Sequence, residues 1–209
     1  MSELEESPAA GFWNRKAAAY AAQPIEDEAA YQKKLETTRS YLHPDMQILE
    51  FGCGTGTTAL IHAPHVKSIL AIDYSSEMIA IAREKARAAG LSNVAFNVMP
   101  IEALPEETQY DAILGMSILH LIEDKQAVLA KVHRLLKPGG LFFSSTTCVS
   151  DMGVIKFILP LMTRLGQAPV VDRFTAEDLL ASMRDAGFVI EHHWRPGPTK
   201  AVFIVARKP

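Results

Sequence analysis

From residue 46 onward the apolar positions of this chain switch between short continuous runs and helical spacing. MQILEF (46–51), SILAID (68–73), VAFNVM (94–99), YDAILGM (110–116) and LFFSSTTC (141–148) have the length and content of buried strands. Between them, a short helix is expected from about Thr57. SSEMIAIAREKARAAG (75–90) predicts a longer helix, with serines placed to cap it and Gly90 to end it. EDKQAVLAKVHRLLKPGG (123–140) predicts another, stopped by Pro138-Gly139-Gly140, with those glycines structural. Mostly apolar strands that alternate with helices imply a parallel sheet covered on both faces.

The flanks follow a different pattern. Residues 1–11 read as a frayed end, and Phe12–Leu42 as helix broken at Gln23-Pro24. In its second piece Glu26, Asp27 and Glu28 precede Lys33, Lys34 and Arg39, the charge order that complements a helix dipole. Residues 150–173 interrupt the alternation with VIKFILPLMTRLG, apolar on most sides and read as a buried helix rather than a membrane anchor. TAEDLLASMRDAGF (175–188) returns to helix. FVIEHHW and AVFIVARK, separated by the turn RPGPTK, form a closing antiparallel pair. The organisation expected is a helical N-terminal extension over residues 1–42 and one main domain over 43–209, with an insertion at about 150–173.

Composition narrows the function. With 209 residues, 48% hydrophobic and 22% charged, and a mean hydropathy of +0.07, the chain reads as globular. A net charge of −3 supplies no basic field for a phosphate backbone, so nucleic acid is not expected as a partner. Cys53 and Cys148 have neither disulfide-framework nor zinc spacing, which points to a reducing cytosol. The N-terminal MSELEESPAAGF lacks the layout of a signal peptide, and no run approaches about 18 apolar residues, so neither export nor a membrane span is expected. His192 and His193 are adjacent on a strand and face opposite ways, so no metal is expected.

The candidate chemistry lies in ILEFGCGTG, residues 48–56. A glycine turn after a strand lets a ligand approach the backbone, and ligands of such sheets bind beyond the carboxyl ends of the strands. A dinucleotide loop of GxGxxG type is one reading, but its sixth position is Thr57, where close packing wants Gly or Ala. The other reading uses acids. Glu50 stands before the first glycine, suited to a cationic or amino-bearing ligand. Asp73 ends the second strand seventeen residues after Gly56, where a carboxylate accepts two ribose hydroxyls. Cys53 reads as a small thiol packed in the turn rather than a nucleophile.

ILEFGCGTG, AIDYSSEMI, YDAILGMSILHLI and LLKPGGLFF, in this order and spacing, resemble the class I S-adenosylmethionine-dependent methyltransferases, in particular the small-molecule branch that includes quinone-biosynthesis enzymes. The motifs cover roughly residues 40–148, and the hairpin at 188–207 also fits. The resemblance implies a Rossmann-like, doubly wound, seven-stranded sheet, mostly parallel with an antiparallel last strand, beneath a helical N-terminal lid. It implies that Gly52, Cys53 and Gly54 flank the methionine part of S-adenosyl-L-methionine, and that Glu50 orders the loop or approaches the amino group. Asp73 would bind the ribose; Tyr74 and Met78 would line the adenine. Gly115, Met116 and Ser117, at the end of the fourth strand, would pass beneath the sulfonium. Pro100 stands where such proteins commonly carry an Asp for the adenine amino group, which leaves adenine to Ile101 and Glu102. Tyr20 and Tyr31, in the lid, would contact the methionine part or the substrate.

His120, three residues beyond Ser117, is a candidate general base, with a packed or capping histidine as the other reading. The expected activity is methyl transfer to a small, apolar or aromatic acceptor at O, N or C, in a cytoplasmic enzyme capable of homodimerisation. The 150–173 insertion would roof the active site or serve that dimer. Two other classes remain open: a cofactor-binding regulatory module without turnover, and a nicotinamide-dependent oxidoreductase. A protein or nucleic-acid methyltransferase is a third option, against which stand the acidic balance and the absence of (N/D)PP(Y/F) motifs of amino-planar targets after the fourth strand, where GMSILHL stands.

Overall fold

The computed structural model describes residues 8–153 and 155–209; residues 1–7 of the expected frayed end and Val154 of the expected insertion lie outside them. The chain divides into two compact units, residues 1–103 and 104–209. The seven strands among the described residues form one sheet in the order β3-β2-β1-β4-β5-β7-β6, the Rossmann-like arrangement expected.

The first unit contains α1 (Pro8–Ala21), α2 (Glu28–Tyr41), β1 (Gln47–Phe51), α3 (Thr57–His62), β2 (Ser68–Asp73), α4 (Ser76–Ala88) and β3 (Val94–Val98). α1 begins at Pro8, so the frayed end does not reach residue 11. Proline tolerates the first helical position because that N–H has no intrahelical partner in any case. Asp27 caps α2 by accepting from Ala30 N–H, and Ser75 caps α4 by accepting from Met78 N–H. β1 and β3 both run parallel to β2, in registers that pair Glu50 with Ala71 and Asp73 with Val98. Both acids therefore stand at or next to the carboxyl end of a strand. The helix start at Thr57 depends on Gly56, whose φ is +75°. A Cβ there would lie 2.7 Å from the Phe96 ring and 2.8 Å from Ala82 Cβ, so α4 and β3 pack where a side chain would otherwise be.

The second unit contains β4 (Tyr110–Met116), α5 (Lys125–Leu135), β5 (Leu136–Thr146), α6 (Ile155–Arg164), α7 (Ala176–Asp185), β6 (Val189–Trp194) and β7 (Val202–Arg207). β4 and β5 are parallel, whereas β7 is antiparallel to both β5 and β6, as expected of the last strand. A capping box between Thr175 and Asp178 starts α7. Two expectations are corrected here. α5 ends at Leu135, before KPGG, and β5 begins at Leu136 with a bulge between its pairings to Tyr110 and Ala112. The cause is the distant Lys208. Its backbone exchanges hydrogen bonds with Gly139 and Gly140, and its ammonium donates to the carbonyls of His133 and Leu136. The helix α6 is also not buried on all sides, because its Ile158, Leu161 and Met162 are exposed, as is Leu165 just after it.

Candidate active site

In the first unit the loop after β1 is shaped by backbone that only glycine adopts readily. Gly52 and Gly54 have φ of +62° and +52°. The loop is fastened to β2: Cys53 N–H donates to Ile72 O at 3.1 Å, and Gly54 N–H to Asp73 Oδ2 at 2.9 Å. Asp73 Oδ1 accepts from Ser75 N–H at 2.9 Å. Burial raises the Asp73 pKa, and the backbone donors of Ser75, Gly54 and Tyr74 pull it back. Each Asp73 oxygen that takes one N–H still has a second lone pair to offer a ligand hydroxyl.

Glu50 lies behind this loop, 2% exposed, with Oε2 buried and unpartnered. Burial pushes its pKa up to about 8; the Ala59 N–H opposes that shift and Asp73 adds to it. A carboxyl in that state is neutral at pH 7 and can donate as well as accept. Burial, Glu50 and Asp73 together raise Cys53 well above the ordinary thiol range, so it is a packed, inert thiol, as its place in the turn suggested. Tyrosines of α1 and α2 stand near these acids, Tyr20 near both and Tyr31 near Glu50. The Tyr20 ring would meet a Cβ at Gly54 at 3.7 Å, and its hydroxyl is raised by burial, Asp73 and Glu50. Tyr31 is raised chiefly by burial, with Glu50 adding, and its hydroxyl bonds the Thr58 side chain.

Around the adenine candidates the placement is mixed. Tyr74 is half-buried, with its hydroxyl pushed up to about 12 by burial and Asp73. Met78 and Ile101 are 2% and 4% exposed, whereas Glu102 is exposed. Two residues of α1 that the sequence reading passed over hold this region. Asn14 Oδ1 accepts from the Ser75 hydroxyl at 2.6 Å and from Glu77 N–H at 3.3 Å, and the Trp13 indole N–H donates to Tyr74. No local pattern announces them, since their partners lie about sixty positions along the chain.

In the second unit Gly115 and Met116 are the last residues of β4. Ser117 follows with a φ of +58°, a strained conformation for a residue with a side chain, fixed by a 2.7 Å bond from its N–H to Ser145 O. His120 sits in a 3₁₀ turn (Leu119–Leu121), half-buried, with Nδ1 unpartnered. Burial lowers its pKa to about 4, which keeps the imidazole neutral but weakens it as a base. Its carbonyl accepts from Asp172 N–H at 2.8 Å. That ties the His120 turn to the segment after α6, whose Val170, Val171 and Arg173 line a surface depression together with Leu159, Pro160 and Thr163 of α6. Among the described residues no group of three or more His, Cys, Asp and Glu is placed to hold a metal ion, and no helix is long and apolar enough to cross a membrane.

Comparison with known proteins adds to this geometry. The methyltransferase domain family matches residues 42–193. An uncharacterized methyltransferase of Schizosaccharomyces pombe is 34% identical over 106 residues, 47% of this chain and 37% of that protein. A ubiquinone biosynthesis O-methyltransferase of Acinetobacter baumannii is 31% identical over 102 residues, 48% of this chain and 43% of that protein. The chain thus spans less than half the length of these curated relatives. Among solved structures, a DhpI–SAH complex aligns with a TM-score of 0.74 at 19% identity, over 96% of this chain and 95% of that one. The [4+2]-cyclase SpnF aligns with a TM-score of 0.74 at 23% identity, over 90% and 83%. At these identities the structural likenesses speak to the fold alone.

Proposed function

This chain belongs to the methyltransferase domain family, in the class I S-adenosylmethionine-dependent group, and from that premise we propose that it transfers the methyl group of S-adenosyl-L-methionine to a small apolar or aromatic acceptor. The observation that carries this is the loop after β1. Two left-handed glycines lie beside a buried Glu50 with a free oxygen, and Asp73 holds the loop in place while keeping lone pairs for a diol. These features fit the cofactor. Gly52, Cys53 and Gly54 would bind its amino-acid part through the backbone, and Asp73 its ribose. Tyr74 and Met78 with Ile101 would line the adenine, Glu102 would reach its edge, and Tyr20 would cover the loop.

When bound, the cofactor supplies an activated methyl on a good leaving group. The chain then has to align the acceptor and exclude water. Gly115, Met116 and the strained Ser117 form a backbone edge suited to that alignment. His120, neutral at physiological pH, would accept a hydrogen bond from an acceptor hydroxyl and so orient it. An oxygen acceptor on an apolar ring is supported by the name of the Acinetobacter relative and by the exposed apolar residues of α6 near the His120-linked segment.

A related fold carries the name of a [4+2]-cyclase, so the test has to read methyl transfer itself. The experiment is release of S-adenosylhomocysteine from S-adenosylmethionine across a panel of apolar phenols, amines and thiols. Turnover with one acceptor class, lost in Asp73→Ala, supports the reading; no turnover with any acceptor despite cofactor binding would favour a module that binds without reacting.

A further inference from the structure

Exposed apolar side chains gather on one short stretch of the second unit. Along α6 and just past it, Ile158, Leu161, Met162 and Leu165 follow the i, i+3, i+4, i+7 spacing of a single helix face, and that face is exposed. Leu165 N–H donates to Leu161 O at 3.1 Å, so the helical ladder carries the stripe past the end of α6. Gln167 N–H then donates to Met162 O at 2.9 Å, and the Thr163 hydroxyl lies 3.0 Å from Pro169 O. These bonds fold the following segment back on the helix and bring Val170 to the same surface. Leu161, Leu165 and Val170 are 62%, 63% and 78% exposed, and large apolar side chains grouped in this way mark a contact surface.

Charge says what covers it. Residues 152–171 include Lys156 and Arg164 and no Asp or Glu, although the whole chain has a net charge of −3. The acids that flank the stretch are already paired, Asp151 with Arg195 at 2.7 Å and Asp172 with Lys125 at 3.1 Å. Arg164 and Arg173 are exposed, and among the described residues neither has a carboxylate partner. A two-fold contact between copies would lay this face on itself and bring those arginines together with no acid from the stretch to offset them. Bulky apolar residues edged by cations are instead the features of a helix that lies in a lipid headgroup layer.

We propose that this face docks onto the surface of an anionic lipid bilayer. Ile158, Leu161, Met162 and Leu165 enter the boundary with the acyl chains, and Arg164 and Arg173 meet lipid phosphates. At ten residues α6 is too short to cross a bilayer, so it lies in the plane of the surface. Both ends of the segment are already anchored, by Ala176 N–H to Asp151 Oδ2 at 3.1 Å and by Asp172 N–H to His120 O at 2.8 Å. Docking therefore demands little further ordering of the chain.

The test is cosedimentation of the full chain with vesicles of phosphatidylcholine alone and of phosphatidylcholine mixed equally with phosphatidylglycerol, at low and high salt. The expected result is binding to the mixed vesicles that falls as salt rises, well above binding to the neutral ones. Arg164→Gln and Arg173→Gln should each weaken it about fivefold, and the double variant Leu161→Ser with Leu165→Ser by more than about tenfold. Unchanged urea midpoints check that the variants fold, and the arginine variants decide the question should the leucine variant fail to do so. Absence of binding to the mixed vesicles, equal binding to both kinds, or binding indifferent to these substitutions would overturn the proposal. A concentration-dependent dimer that the leucine variant loses, without vesicle binding, would overturn it too and assign the face to a second copy of the chain.

Discussion

Gly54 and Asp73, nineteen residues apart, are joined by a 2.9 Å hydrogen bond from the glycine N–H to Oδ2. The other carboxyl oxygen takes the Ser75 N–H, so one side chain fixes both the glycine loop and the entry to α4. Asp73→Asn keeps a single acceptor oxygen and leaves one of these N–H groups without its partner. It should lose about 1–3 kcal/mol of stability in urea unfolding. An unchanged midpoint would mean that the loop is held by other contacts.

Gly56 and Gly90 share a left-handed backbone but not an environment. At Gly56 a Cβ collides with Phe96 and Ala82, whereas at Gly90 nothing lies within 4 Å. Gly90→Ala should cost only the backbone penalty of about 1 kcal/mol. Gly56→Ala adds overpacking and should cost about 2–4 kcal/mol in the same assay.

Asn14 is the polar link between α1 and the start of α4. Asn14→Ala should speed amide hydrogen exchange along residues 8–21 while leaving β2 unchanged, because the helix loses an anchor but the sheet does not. It should also weaken S-adenosylhomocysteine if α1 acts as the lid. Uniform protection in the variant would argue that the aromatic contacts of Trp13 hold α1 without Asn14.

His62, at the end of α3, is fully buried with both ring nitrogens unpartnered, and burial lowers its pKa to about 4 from 6.5. Between those values the unfolded chain binds more protons than the native one. The contribution of His62 is therefore complete above pH 6.5 and is lost as pH falls toward 4, amounting to about 3 kcal/mol. Glu50 has the opposite sign, since its raised value costs stability as pH rises toward 8. Comparing wild type with His62→Leu cancels the Glu50 effect. The stability difference between the two proteins should shift by about 3 kcal/mol in favour of the variant as pH falls through this window.

Much of this fold is legible in the sequence for a physical reason. The strands are short apolar runs bounded by Gly, Pro and capping residues, and the acids at their carboxyl ends stand out against them. What escapes depends on distant partners. KPGG has the composition of a stop signal, yet Lys208 draws it into β5. Trp13 and Asn14 act through Tyr74 and Ser75, and nothing in their own neighbourhood signals it. The exposed side of α6 is invisible to periodicity, because VIKFILPLMTRLG is apolar in nearly every direction. Glu50 is conspicuous as a carboxylate beside glycines, but its neutrality follows only from burial among other acids and phenols.

The most direct test of the central claim is titration of the purified protein with S-adenosylhomocysteine and, separately, NADH, for the wild type and Asp73→Ala. The account predicts micromolar S-adenosylhomocysteine binding, weakened by about 1–3 kcal/mol in Asp73→Ala, and no comparable affinity for NADH. Tighter binding of NADH, or S-adenosylhomocysteine binding indifferent to Asp73, would contradict it.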